Sequence, residues 1–274
     1  HVSPDGDAIG SSLGLYHFLD SQEKTVNVIV PNAFPDFLRW MPGSKDILLY
    51  ANYWFTKGGH NEADYAEQAR AVKAAGFTGL KFDPFAHTNY FYGEDLASNL
   101  TLTPAQQDLA FNVSKAVREA VGPEVDIMIE THAMLNYRIA VKMAERLATL
   151  DIAWYEEPAG PESSQTLRAM RERIPSDVAI CVGERHYTRF GIRSLLEKHV
   201  CDIIMPDITR CGGPSEMKRM ATMAEAYQVL LAPHNPNGPL STLASSHVCA
   251  SVPNFFRQEF MFNDVPWRDT VIDH

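Results

Sequence analysis

The chain reads as an α/β protein: a (β/α)8 barrel of the TIM type, preceded by a short unrelated α/β segment. Three observations predict this. From about residue 48 onward, short apolar runs alternate with amphipathic helical segments. Each run closes on a polar side chain. From Glu130 on, those closing residues recur 23 to 28 positions apart, the length of one βα unit. Near-continuous apolar strands separated by helices imply a parallel sheet covered on both faces. Eight such units in roughly 225 residues fit a closed barrel. An open doubly wound sheet is the alternative, but it would want a Gly-rich phosphate turn after its first strand, and the sequence has none there.

The elements follow in order. The apolar runs are ILLYANYW, GLKFD, DIMIETH, IAWYEE, ICVGE, IIMPD, VLLAPH and FFRQE. The segment ADYAEQARAVKAAG predicts a helix closed by Gly76. In TPAQQDLAFNVSKAVREAVG, Thr103 is the N-cap, Pro104 opens the first turn, Gln106 completes a capping box and Gly122 lies past the end. The segments RIAVKMAERLATL, SSQTLRAMRERI, RSLLEKHV, PSEMKRMATMAEAY and LSTLASSHVCASV supply the remaining helices.

Composition narrows the function classes. The 274 residues carry a formal charge of −10, which argues against nucleic acid or an anionic membrane as a partner. No apolar run approaches the ~18 residues of a membrane span, and no signal peptide is evident, so a cytoplasmic protein is expected. Cys181, Cys201, Cys211 and Cys249 form no CxxC pair and read as reduced core thiols.

The residues closing the runs carry the chemistry: Lys81, Glu130, Glu156, Glu184, Asp207, His234 and Glu259. In a barrel the C-terminal strand ends converge on one face, where active sites are built. Three acids from consecutive strands, Glu130, Glu156 and Glu184, repel one another unless their pKa values rise or a cation sits among them. An all-oxygen set suits Mg²⁺ or Mn²⁺ rather than Zn²⁺. Glu157 reads as a supporting residue rather than a fourth ligand. Asp207 and His234 close adjacent strands, and a carboxylate bonded to one imidazole nitrogen makes the other a general base. Lys81 is a candidate acid or base, its pKa lowered beside a cation site. Strand alternation puts His132 on the same side as Glu130, as an acid for a leaving group. Arg210 and Glu259 are candidate substrate contacts, as are Tyr90 and Tyr92 in the long loop after Lys81; His186 is a weaker candidate. Together these residues describe abstraction of a proton next to a carboxylate.

At these residues the chain resembles the barrel domain of the enolase superfamily, mandelate racemase subgroup, and within it the acid-sugar dehydratases. The matching motifs are IETH, WYEEP, VGE, MPDITRCGG, APHNPNGP and RQE, and the resemblance covers residues 48–274. The resemblance implies Mg²⁺ on Glu130, Glu156 and Glu184. It implies that His234, with Asp207, takes the C2 proton of a small sugar acid, that His132 expels the 3-hydroxyl, and that the product is a 2-keto-3-deoxy acid. It also implies a homo-oligomer. The second strand departs from the KxK pattern of the racemases: Lys81 is present, but Asp83 stands in place of the second lysine. That departure favours one-sided dehydration over racemisation.

Residues 1–47 read differently. HVSPDGDAIGSSLGLYHFL resembles the first metal motif of the DHH phosphoesterases, with His1, Asp5 and Asp7 at ligand positions. The resemblance lacks that family's first strand and its later Asp-His-His motif, so the segment reads as an incomplete site joined to an unrelated barrel. The functional expectation is therefore an Mg²⁺-dependent sugar-acid dehydratase. The alternatives are a barrel that folds without turning over substrate, because residues 1–47 do not match the capping domain of the superfamily, and a DHH-type phosphoesterase.

Overall fold

The computed structural model describes residues 47–56, 58–86 and 101–265. Within them lie eight strands: β1 (Leu49–Asn52), β2 (Gly79–Phe82), β3 (Asp126–Glu130), β4 (Trp154–Glu156), β5 (Ile180–Val182), β6 (Ile203–Ile204), β7 (Leu230–Leu231) and β8 (Gln258–Met261). Seven α-helices accompany them: α1 (Glu62–Ala74), α2 (Pro104–Val121), α3 (Tyr137–Leu147), α4 (Ser164–Arg171), α5 (Thr188–Glu197), α6 (Pro214–Glu225) and α7 (Pro239–Cys249). The strands pair in the order β7-β6-β5-β4-β3-β2-β1-β8, and every pairing is parallel. A parallel bridge between Leu231 and Phe255 links β7 to the segment entering β8. The Leu231 N–H donates to Asn254 O, and the Phe256 N–H donates to Leu231 O, both at 2.8 Å. The sheet therefore closes into the expected (β/α)8 barrel, leaving no unpaired edge.

The strand runs are buried along nearly their whole length, which is why they read as unbroken apolar stretches. Their outward residues pack with the helices in one large core. The inward residues Tyr50, Met128, Trp154, Cys181, Ile203, Met205 and Ala232 fill the barrel itself. Met128 and Trp154 are register partners, and two residues later so are Glu130 and Glu156. Because side chains alternate with a period of two, the glutamates point to the same interior as the apolar pair, one layer nearer the C-terminal mouth.

Local signals set the helix ends. Thr103 and Gln106 make the reciprocal capping box at α2. Asn61, Asn136 and Ser163 accept backbone N–H groups at the starts of α1, α3 and α4. α5 begins at Thr188, five residues before the segment expected for it. Its first turn exposes Phe190 and carries no side-chain cap, so neither periodicity nor capping announces it. The four cysteines are buried free thiols, as expected. Among the described residues no helix is long and apolar enough to cross a membrane. His1, Asp5, Asp7, Tyr90 and Tyr92 lie outside the described residues.

Candidate active site

Glu130, Glu156 and Glu184 come together at the mouth. Each offers one carboxylate oxygen, and the three oxygens lie within 4.8 Å of one another. All three are buried. Glycine at 183 makes the last placement possible. Its φ is 134°, and a Cβ there would come within 3.0 Å of the Met205 backbone nitrogen. Its N–H donates to Glu157 Oε1 at 3.0 Å, so Glu157 braces the β4–β5 corner.

The charge in this cluster is unevenly held. Burial and the facing Glu130 push the Glu156 carboxyl well above its usual range, against the pull of Lys81. Burial also acts on Glu130, but His132, Glu156 and Lys81 outweigh it and hold that carboxyl low. Two register-paired carboxyls in low dielectric cannot both ionise cheaply. A divalent ion resolves that conflict, and three converging oxygen donors are the set that a hard cation takes. The residues therefore fit a metal ion.

Two imidazole–carboxylate pairs flank the cluster. His234 Nδ1 lies 3.0 Å from Asp207 Oδ2, and its Nε2 lies 3.1 Å from Glu184 Oε2. Asp207 is fully buried. Its Oδ1 accepts from the N–H and hydroxyl of Thr209, at 2.8 and 2.6 Å, and its Oδ2 also accepts from Asn237 Nδ2 at 3.0 Å. Burial pushes the His234 pKa down, but Glu259, Asp207 and Glu184 raise it more, and the net shift is upward. His132 also reaches the mouth, by a route other than strand alternation. β3 ends at Glu130, and His132 and Ala133 adopt left-handed conformations (φ 48° and 59°). The turn brings the His132 N–H onto Glu130 Oε1 at 2.6 Å. The His132 ring places Nδ1 2.9 Å from Asp83 Oδ2. Burial lowers its pKa, yet Glu130 and Asp83 prevail and lift it to about 9.

The remaining candidates take positions that the sequence does not announce. Lys81 is 2% exposed. Its Nζ contacts Glu156 Oε1, lies 2.9 Å from Glu259 Oε1 and 3.5 Å from Glu130 Oε2. Desolvation lowers its pKa, but Glu156, Glu259 and Tyr50 raise it well above the ordinary value. Glu259 is likewise fully buried. Its Oε1 accepts from Asn52 Nδ2 at 2.5 Å as well as from Lys81, and its Oε2 accepts from the Asn235 N–H at 2.6 Å. Arg210 lies at the rim, half exposed, with Nε 3.7 Å from Asp207. His186 is half-buried in an open pocket of about 360 Å³ beside the mouth, lined also by Glu162, Ser164 and Tyr187.

Sequence reasoning missed two participants. In the sequence Asp83 reads only as a replaced lysine, yet it sits just beyond β2, two residues past Lys81, with His132 facing it. Arg185 follows Glu184 directly. It donates from Nη2 to the His132 carbonyl at 2.8 Å and from Nε to Glu184 Oε1 at 3.3 Å, tying β5 to the turn after β3. A basic residue adjoining one of three clustered acids is the signal that could have found it.

Known proteins bear on this geometry directly. Residues 64–274 match the enolase C-terminal domain-like family (MR_MLE_C). The chain belongs to that family. It is 29% identical over 231 residues to a D-xylonate dehydratase of Haloferax volcanii, covering 83% of this chain and 54% of that protein. It is 32% identical over 229 residues to a D-gluconate dehydratase of Thermoproteus tenax, covering 82% of this chain and 43% of that one. A crystal structure of an enolase-superfamily member from Salmonella Typhimurium superposes with a TM-score of 0.74 at 30% identity, covering 82% of this chain and 59% of that one. A mandelate racemase/muconate lactonizing enzyme-like protein from Rubrobacter xylanophilus superposes at 0.71 with 34% identity, over 81% and 59%. The chain spans about half the length of the curated relatives it matches.

Proposed function

We propose that the barrel serves an Mg²⁺-dependent dehydration of a sugar acid to a 2-keto-3-deoxy acid. The observation that carries this reading is the His234–Asp207 pair facing Glu184 of the carboxylate cluster, with His132 on the other flank. Mg²⁺, held by Glu130, Glu156 and Glu184, would supply positive charge to the substrate carboxylate as it becomes an enediolate. His234 Nε2 takes the C2 proton, and the electron pair of the C–H bond moves into the carboxylate. Asp207, itself braced by Thr209 and Asn237, holds the ring and stabilises the imidazolium that results. His132 then gives a proton to the 3-hydroxyl. The C3–O bond breaks with its pair on oxygen, water leaves, and the enol relaxes to the keto acid. Lys81 keeps its proton throughout and supplies fixed positive charge beneath the acids.

The names of the relatives support aldonic acids such as D-xylonate and D-gluconate as the substrate class. No chemistry is assigned to residues 1–47. The test is keto-acid formation, read as semicarbazone absorbance, over a panel of C5 and C6 aldonic acids with Mg²⁺ and with EDTA. The reading expects an Mg²⁺-dependent signal with at least one acid. Neither keto acid nor deuterium incorporation at C2 from D₂O, with any acid in the panel, would overturn it.

A further inference from the structure

We infer that Asp83 is the positioning residue of His132, fixing the ring so that its proton transfer runs through Nε2. The inference rests on the dehydratase reading for what His132 does, and on geometry alone for what Asp83 does. Asp83 is fully buried at the end of β2. Its Oδ1 accepts the Phe85 N–H at 2.7 Å, closing an Asx-type turn. Its Oδ2 faces His132 Nδ1 at 2.9 Å. The strand end that carries it is itself held. Trp54 Nε1 donates to Lys81 O at 2.8 Å, and the Tyr65 hydroxyl donates to Asp83 O at 3.3 Å. Both rings pack edge-on against Phe82.

A turn of this kind needs one side-chain oxygen, and asparagine would serve it as well. The second oxygen is what the turn does not require. A carboxylate oxygen can only accept there, so Nδ1 must carry the proton. The pair repeats, on the opposite flank of the acids, the contact between Asp207 and His234. His132 stands in a left-handed turn, where the backbone alone does not settle the ring direction. In the dehydration step the proton leaves Nε2 for the 3-hydroxyl oxygen, the C3–O bond breaks and water departs. The ring's remaining proton stays on Nδ1, shared with Asp83.

The substitution Asp83→Asn is diagnostic because Phe85 still demands an oxygen. The amide NH₂ then faces Nδ1, a donor against a donor, and the ring loses the hydrogen bond that orients it. The experiment uses the full chain labelled with ring-¹⁵N histidine, with His132 assigned by its absence in His132→Asn. The wild type is expected to show a hydrogen-bonded Nδ1–H, and Asp83→Asn to lose that hydrogen bond. With an aldonate substrate, Asp83→Asn should lower kcat for dehydration by roughly 10²-fold, at the low end for a general acid, with KM little changed. Deuterium exchange at C2, the work of His234, should stay within about threefold. Asp83→Glu should restore part of the loss. An unprotonated Nδ1 in the wild type overturns the inference, and needs neither a folded variant nor a substrate. So does wild-type dehydration in Asp83→Asn, or a parallel fall of exchange and dehydration. If the wild type dehydrates nothing, the functional reading fails, and the ¹⁵N measurement still decides the role of Asp83.

Discussion

Lys81 Nζ lies 2.9 Å from Glu259 Oε1, so a single buried ammonium joins β2 to β8 inside the barrel. The same nitrogen contacts Glu156 from β4. One cation thus answers several acids in the interior. Removing one partner of such a group leaves uncompensated charge in low dielectric, typically at a cost of ~3–5 kcal/mol. Lys81→Met should therefore lower unfolding free energy by about that much in EDTA, measured by urea denaturation at pH 7. The loss should shrink with saturating Mg²⁺, which replaces the missing charge. A loss below about 1 kcal/mol in EDTA would mean that Glu156 and Glu259 simply take up protons when Lys81 is gone.

The three-glutamate cluster predicts stabilisation by a divalent ion. A ligand that binds only the folded state adds about 2.7 kcal/mol at a hundred times its Kd. Calorimetric scans with rising Mg²⁺ should show a climbing midpoint, and Glu156→Gln should flatten the climb. An equal climb in Glu156→Gln would place the ion elsewhere.

His234→Asn should fold and bind metal nearly as the wild type does, because Asn237 and Thr209 still hold Asp207. Loss of a general base costs roughly 10²–10⁴-fold. Deuterium incorporation at C2 of a substrate aldonate in D₂O, followed by NMR, should fall by that range. Undiminished exchange would shift the base role to another group at the mouth.

What the sequence discloses of this site follows from periodicity. Each apolar run closes on one polar residue, and strand spacing brings those residues to one end. That is why Glu130, Glu156, Glu184, Asp207 and His234 could be grouped without coordinates. The pattern says nothing of how far a side chain reaches across the axis. Lys81 looks like a residue open to the mouth, yet its four-carbon stem carries the charge into the interior. Glu259 pairs in register with Tyr50, a residue that fills the barrel, and it meets Lys81 across the axis. His132 depends on two consecutive left-handed residues, neither of them glycine, which no turn signal marks. Asp83 becomes meaningful only when its neighbour on β3 is known. The strands themselves are shorter than their apolar runs. β6 and β7 pair over only two residues each, because apolar burial extends past the point where ladder hydrogen bonds end.

Glu157 gives the protein a pH dependence that can be separated from catalysis. The residue is 1% exposed. Burial and the Glu184 charge push its pKa up from 4.5 to about 7, while the Gly183 N–H and Arg185 pull the other way. The unfolded chain releases this proton near 4.5, whereas the folded chain keeps it to about 7. Between those values the folded state binds more protons, so unfolding free energy falls as pH rises. The contribution is fully present below 4.5 and is lost as pH climbs through 7. At 1.36 kcal/mol per unit, the full difference is about 3 kcal/mol. Glu157→Gln retains an acceptor for the Gly183 N–H and has no proton to lose. Urea denaturation of both proteins at pH 5 and pH 8, in EDTA, should show the variant gaining on the wild type by up to about 3 kcal/mol across that interval. A difference between the two proteins that stays constant from pH 5 to pH 8 would mean that Glu157 is already ionised in the fold at pH 5, with Arg185 closer to it than the 3.7 Å separation implies.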